Sequence, residues 1–210
     1  METHTRLLQV VDLQLKIKEA EDINLLLSGV EDEDDIPFWA VLWPSAVALA
    51  GYLREKCDFT GSSVLELGAG VGLAGMVAAI QGGAVTQTDY KPGALSLQEN
   101  NAGMNGVTGV GHELADWRNF DFTRKFDWII GSDILYEPLL HRYLKEIFFR
   151  CLVEAGSLIL ADPNREGGKI FMEELLAEGF RGNYEEIPIE FDGLVYRIKI
   201  WVLQKERRLE

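Results

Sequence analysis

Val64-Leu65-Glu66-Leu67-Gly68-Ala69-Gly70-Val71-Gly72-Leu73 constrains this chain more than any other stretch. An apolar run suited to a buried strand meets three glycines at alternate positions, and a helix-compatible segment, 73–81, follows at once. Glycine is needed where a backbone turns tightly or a ligand must approach it closely. Strand, glycine turn and helix in that order make the crevice unit of an open α/β sheet. An acid near the end of an otherwise apolar strand is unexpected for packing. Glu66 there is suited to accept hydrogen bonds from a ligand's amine or hydroxyl groups.

The chain downstream supplies the rest of such a sheet. Strands are expected at 63–67, 84–88, 110–114, 126–131 and 157–161, and helices at 73–81, 94–104, 138–153 and 169–178. This alternation predicts an α/β fold with a doubly wound, mostly parallel sheet. The end differs. Segments 184–191 and 194–203 flank Asp192-Gly193, a short hairpin signal, so the last two strands are expected to be antiparallel. Upstream, Pro44 opens a helix running to about residue 56. Leu13, Leu15 and Ile17 alternate with polar residues and read as a strand; 23–27 is expected to pair with it. Residues 7–28 then form an N-terminal β-hairpin added to the main sheet. The acidic run 31–35 reads as a solvated loop. Residues 1–36 are an appendage on one domain spanning 1–210, a length that fits a single core.

The net charge of −14 disfavours sequence-independent nucleic-acid binding, which needs Lys and Arg on phosphates. It suits a cationic ligand, although a solvated acidic surface is the commoner meaning. No apolar run is long enough to span a bilayer, and the first ten residues lack a signal-peptide layout, so a cytoplasmic protein without membrane partners is expected. Cys57 and Cys151 lack metal or redox spacing and read as reduced packing residues. The three histidines form no metal pattern, and no metal site is expected.

Two cofactors compete for the glycine turn. Gly70-x-Gly72-x-x-Gly75 matches a dinucleotide fingerprint, with Asp89 at 89 − 70 = 19 residues on. The same stretch, Glu66-x-Gly68-x-Gly70-x-Gly72, resembles motif I of the class I S-adenosylmethionine methyltransferases. Glu66 near the strand end, a first glycine at 68 and the terminal hairpin favour the second reading. Asp89, with Tyr90 after it, would then meet the ribose hydroxyls, since a carboxylate has two oxygens for two donors. Asp116 would accept from the adenine amine, and Trp117 would lie against the base. Ser132-Asp133-Ile134-Leu135-Tyr136 follows the fourth strand of the alternating unit. Its Asp133 faces the crevice outside the strand ends, unless it merely caps the next helix.

Pro37-Phe38-Trp39-Ala40-Val41-Leu42-Trp43-Pro44, the glycine motif and Ser132-Asp133-Ile134-Leu135-Tyr136-Glu137 come in an order and spacing that resembles the seven-β-strand protein lysine methyltransferases of the methyltransferase-16 type. The resemblance covers about 36–165. It implies a Rossmann-like sheet of seven strands, S-adenosylmethionine as cofactor with S-adenosylhomocysteine as product, and Trp43 beside the cofactor's methionine part. It also implies an acceptor channel lined by Asp133 and Tyr136. The expectation is then a monomer acting on a lysine of a partner protein. Within the group, Trp39-Ala-x-x-Trp43-Pro44 and Asp162-Pro163-Asn164-Arg165 look similar to the branch of the electron-transfer flavoprotein β-subunit lysine methyltransferase. They look equally similar to a branch once named for nicotinamide N-methylation. A small amine or pyridine acceptor, or a cofactor-binding module without catalysis, are the alternatives. Asp162–Arg165 either borders the acceptor or is a capped turn.

Overall fold

The computed structural model describes residues 1–21 and 36–206. Its centre is a seven-stranded sheet built from β3 (Ser63–Leu67), β4 (Ala84–Asp89), β5 (Val110–Leu114), β6 (Phe126–Ser132), β7 (Leu152–Asp162), β8 (Phe180–Phe191) and β9 (Leu194–Lys205). The strand order is β5-β4-β3-β6-β7-β9-β8. Pairings from β5 through β7 are parallel, and β9 is antiparallel to both β7 and β8. Asp192 and Gly193 both take positive φ at the β8–β9 tip, as a type I′ hairpin turn requires.

Helices α1 (Pro44–Lys56), α2 (Leu73–Ile80) and α3 (Pro92–Met104) supply one apolar core with one face of the sheet. Helices α4 (His141–Cys151) and α5 (Glu166–Ala177) supply a second core with the other face. Strand alternation explains the division: Val64 belongs to the first core, Leu65 and Leu67 to the second. Proline opens α1 and α3 at their first position, where its missing N–H costs nothing. The helix expected over 138–153 is a short 3₁₀ turn, Pro138–Leu140, followed by α4, and β7 begins directly after Cys151.

The N-terminus corrects the expectation. β2 (Leu13–Ala20) pairs antiparallel with β1 (Thr3–Val10), which precedes it, and the two form a separate two-stranded sheet rather than an extension of the main one. The expected partner 23–27 and the acidic run 31–35 lie outside the described residues. β1 was hard to see because its tip, Val11-Asp12, lacks glycine although Val11 takes φ 54°.

The hairpin is tied to the fold by side chains. Asn101 on α3 and Asn105, the residue that caps its C-terminus, each pair with a β2 backbone unit: Asn101 accepts from Lys18 N at 2.7 Å and donates to its O at 3.1 Å, and Asn105 does the same for Lys16 at 2.8 and 2.7 Å. Buried Glu19 accepts from Leu42 N at 3.0 Å and from Arg6 Nε at 2.6 Å.

Candidate active site

The strand order reverses between β3 and β6, and the carboxyl ends of β3, β4, β6 and β7 open a crevice there. Gly68, Gly70 and Gly72 line its floor with φ of 61°, 52° and 83°. A Cβ on Gly68 would sit 2.9 Å from Ile134 Cγ2 and 3.2 Å from Trp117 Cζ2. The loops after β5 and β6 therefore close directly onto the turn.

Three amides hold the turn from behind. Gln98 Nε2 donates to Gly70 O at 3.2 Å, Asn101 Nδ2 to Val71 O at 2.9 Å, and Gln87 Nε2 to Gly72 O at 2.8 Å. All three side chains are fully buried. A trans peptide points its C=O and N–H in opposite directions, so tying back the carbonyls of Gly70 and Gly72 turns the N–H groups of Val71 and Leu73 the other way. No local sequence signal marks these residues, because polar positions on a helix or strand look solvated until the partner carbonyls are known.

Glu66 has partners of its own beneath the turn. Period two puts it on the Val64 face, under α2, where its Oε2 accepts from Gly75 N at 3.0 Å and Gln87 Nε2 at 2.6 Å. This differs from the expected place facing a ligand: the carboxyl group is buried and braces the turn. Burial pushes it up to about 7, against the opposing pull of Gln87 and Gly75. A Cβ on Gly75 would collide with Glu66 and Gln87, which explains the third glycine of the dinucleotide-like match.

Asp89 ends β4, nearly buried, and accepts from Gly70 N and Lys91 N, both at 3.1 Å. Burial raises its carboxyl above the usual range despite those donors. Tyr90 beside it is exposed, with Lys91 Nζ 5.0 Å from its ring centre. Asp116 caps the 3₁₀ turn Trp117–Asn119 through Arg118 N, and Arg118's guanidinium engages both its oxygens at 2.7–3.0 Å. That pairing holds Asp116 below the usual carboxylate range, and it presents half-buried Trp117 to Gly68.

Trp43 and Trp39 part company. Trp39 packs on the first core, its carbonyl over Gly70 and its ring against Gly93. Trp43 stays half-buried at the start of α1, its Nε1 donating to Phe38 O at 3.0 Å.

Ser132 ends β6, and Asp133 follows in the left-handed region at φ 57°, its N–H held by Ala161 O at 2.9 Å. The turn after β7 meets it. Asp162 accepts from Arg165 N at 2.7 Å, closing the turn, and Arg165 Nη1 lies 2.8 Å from Asp133 Oδ1 and 2.9 Å from Asp162 Oδ2. The Asp162–Arg165 segment is thus both a capped turn and a neighbour of Asp133. Beyond Asp133 the loop presents exposed Tyr136 and Leu139, at 54% and 76%.

A sequence model of a family described as lysine methyltransferase matches residues 24–178. EEF1A lysine methyltransferase 3 of Xenopus tropicalis is 32% identical over 166 residues, covering 71% of this chain and 72% of that protein. The electron transfer flavoprotein beta subunit lysine methyltransferase of Rattus norvegicus is 31% identical over 137 residues, covering 61% of this chain and 51% of that protein. Among solved structures, the ribosomal protein L11 methylase of Lactobacillus delbrueckii subsp. bulgaricus shares the fold, with a TM-score of 0.62 at 21% identity over 80% of this chain and 81% of that one.

Proposed function

The chain belongs to the lysine methyltransferase family of S-adenosylmethionine-dependent enzymes, and from that premise we propose that it methylates a lysine side chain presented by a partner protein. The crevice suits the cofactor. Its floor carries no side chains at three positions, and Asp89, backed by two N–H groups, keeps lone pairs for two vicinal hydroxyls. In this reading Gly68, Gly70 and Gly72 pass beside the amino-acid and ribose parts and Asp89 takes the ribose. Trp117 lies against adenine on the turn that Asp116 caps, and Trp43 packs beside the methionine part. Tyr90 and Ser132 complete the wall, and Glu66 braces it from below.

When bound, S-adenosylmethionine supplies the methyl group on a sulfonium; the C–N bond forms as the C–S bond breaks, and sulfur keeps the electron pair. The protein's part is positioning and delivery of a neutral amine. A lysine ammonium, with a reference pKa of about 10.4, is held by Asp133, loses its proton to water, and is aimed by Tyr136.

The observation that carries a protein acceptor is the open apolar rim beside Asp133. Tyr136 and Leu139 are exposed there, and Ile170 is exposed on α5, whose Gly167 lies against Pro138. A closed pocket for a small amine would bury such residues. We read residues 1–210 as one domain working as a cytoplasmic monomer; no helix among the described residues is long and apolar enough to cross a membrane. Its net charge of −14 speaks against nucleic-acid partners. Incubation with methyl-labelled S-adenosylmethionine and a cell lysate tests the reading. A labelled protein band that yields methyl-lysine on hydrolysis supports it, and label confined to the small-molecule fraction contradicts it.

A further inference from the structure

Asp133 does not stand alone. The described charged groups that face it are Arg165 and Asp162, both from the turn after β7; α1 adds the Ser45 hydroxyl, which hydrogen-bonds its carboxylate. Ser45 and Asp162 are buried, and Asp133 is 15% exposed at its side chain. One guanidinium nitrogen therefore spans two nearly buried carboxylates. The formal charge of the three groups sums to −1.

We propose that Arg165 is a positioning residue for methyl transfer: its guanidinium fixes the Asp133 carboxylate in its charged form, and the three-group cluster is balanced to admit one cationic amine. The proposal rests on the reading of Asp133 as the acceptor's anchor and narrows it to a substrate class. A protonated primary amine completes the charge balance, whereas a neutral pyridine nitrogen leaves it open. Two carboxylates this close repel when both are ionised. Burial pushes the Asp133 carboxyl up; Ser45 and Arg165 pull it back, and Asp162 opposes them. Without Arg165, Asp133 binds a proton more readily, and a protonated Asp133 no longer attracts an ammonium. The left-handed backbone at Asp133 suits Asp or Asn better than most residues, so a fixed backbone leaves the side chain to be set by Arg165 and Ser45.

The test reads the carboxyl group itself. In protein carrying ¹³Cγ-labelled aspartate and no ligand, the Asp133 resonance is identified by its loss in Asp133→Asn. Arg165→Gln should move its titration midpoint to higher pH by about one unit, and Asp162→Asn alone should move it lower. The second readout is methyl incorporation into the labelled partner protein. Arg165→Gln should lose incorporation as pH falls through its raised midpoint, approaching about tenfold below both midpoints for a one-unit shift, and should match wild type well above it, with S-adenosylhomocysteine affinity unchanged. A merely structural role for Arg165 would lower the rate by the same factor at every pH. That result, an unmoved midpoint in Arg165→Gln, or a raised one in Asp162→Asn overturns the proposal. If wild type labels no protein at all, the protein-methylation reading fails instead, and the titration still decides whether Arg165 controls Asp133.

Discussion

At the scale of single residues, Gly68 has two constraints that no other residue type meets together. Its φ of 61° is left-handed, and the space where a Cβ would stand belongs to Ile134 and Trp117. Left-handed backbone costs a non-glycine residue about 1–2 kcal/mol before any clash is counted. Gly68→Ala should therefore destabilise the fold by about 2–3 kcal/mol in denaturant titration and weaken S-adenosylhomocysteine binding; unchanged values for both would sink the account of the turn. Asp89→Ala should weaken that binding about tenfold or more, some 1.4 kcal/mol, while sparing the rate at saturating cofactor. A raised Michaelis constant for the acceptor instead would move Asp89 out of the cofactor wall. Such positions were legible because strand ends and residue types locate them. Arg165 on Asp133 was not, because 32 positions separate them and only the parallel pairing of β6 with β7 brings their turns together. The place of Glu66 lay within reach of period-two reasoning, since Val64 already marks the face beneath α2.

At the scale of elements, the doubly wound parallel sheet and terminal hairpin follow from alternation and from Asp192-Gly193, and alternation also marks β2, while its pairing with β1 and the hairpin's attachment to the fold rest on contacts that no local pattern shows. Asn101 joins it to the cofactor turn, holding the backbone of Lys18 and the carbonyl of Val71 at once. Removing one partner of a buried hydrogen bond costs about 1–3 kcal/mol. Asn101→Ala should release the hairpin first. Hydrogen exchange should quicken at β2 amides while those of β3 and β6 stay protected, and S-adenosylhomocysteine should bind more weakly. Equal protection of β2 in variant and wild type would show that Glu19 and Asn105 suffice to hold it.

At the scale of the whole molecule, folding stability should respond to pH through the buried acids of the crevice. Glu66 sits near 7 when folded and near 4.5 when unfolded, so the folded state holds its proton more tightly. Its contribution is fully present below pH 4.5 and is lost as pH rises through about 7, a span worth about 3 kcal/mol at most. Repulsion within a chain of net charge −14 acts in the same direction. Glu66→Gln, which also offers a donor to the unpartnered Oε1 of Gln87, should flatten the stability curve between those pH values. An unaltered slope would assign the pH dependence to surface charge. The central claim, that Asp133 at the end of β6 anchors the acceptor nitrogen, is tested most directly by Asp133→Asn, which keeps the size and the tolerance for φ 57° but removes the charge. The account predicts loss of labelled methyl transfer to protein by at least about a hundredfold, with S-adenosylhomocysteine binding within about twofold of wild type. A variant that labels the same protein at the wild-type rate would contradict it.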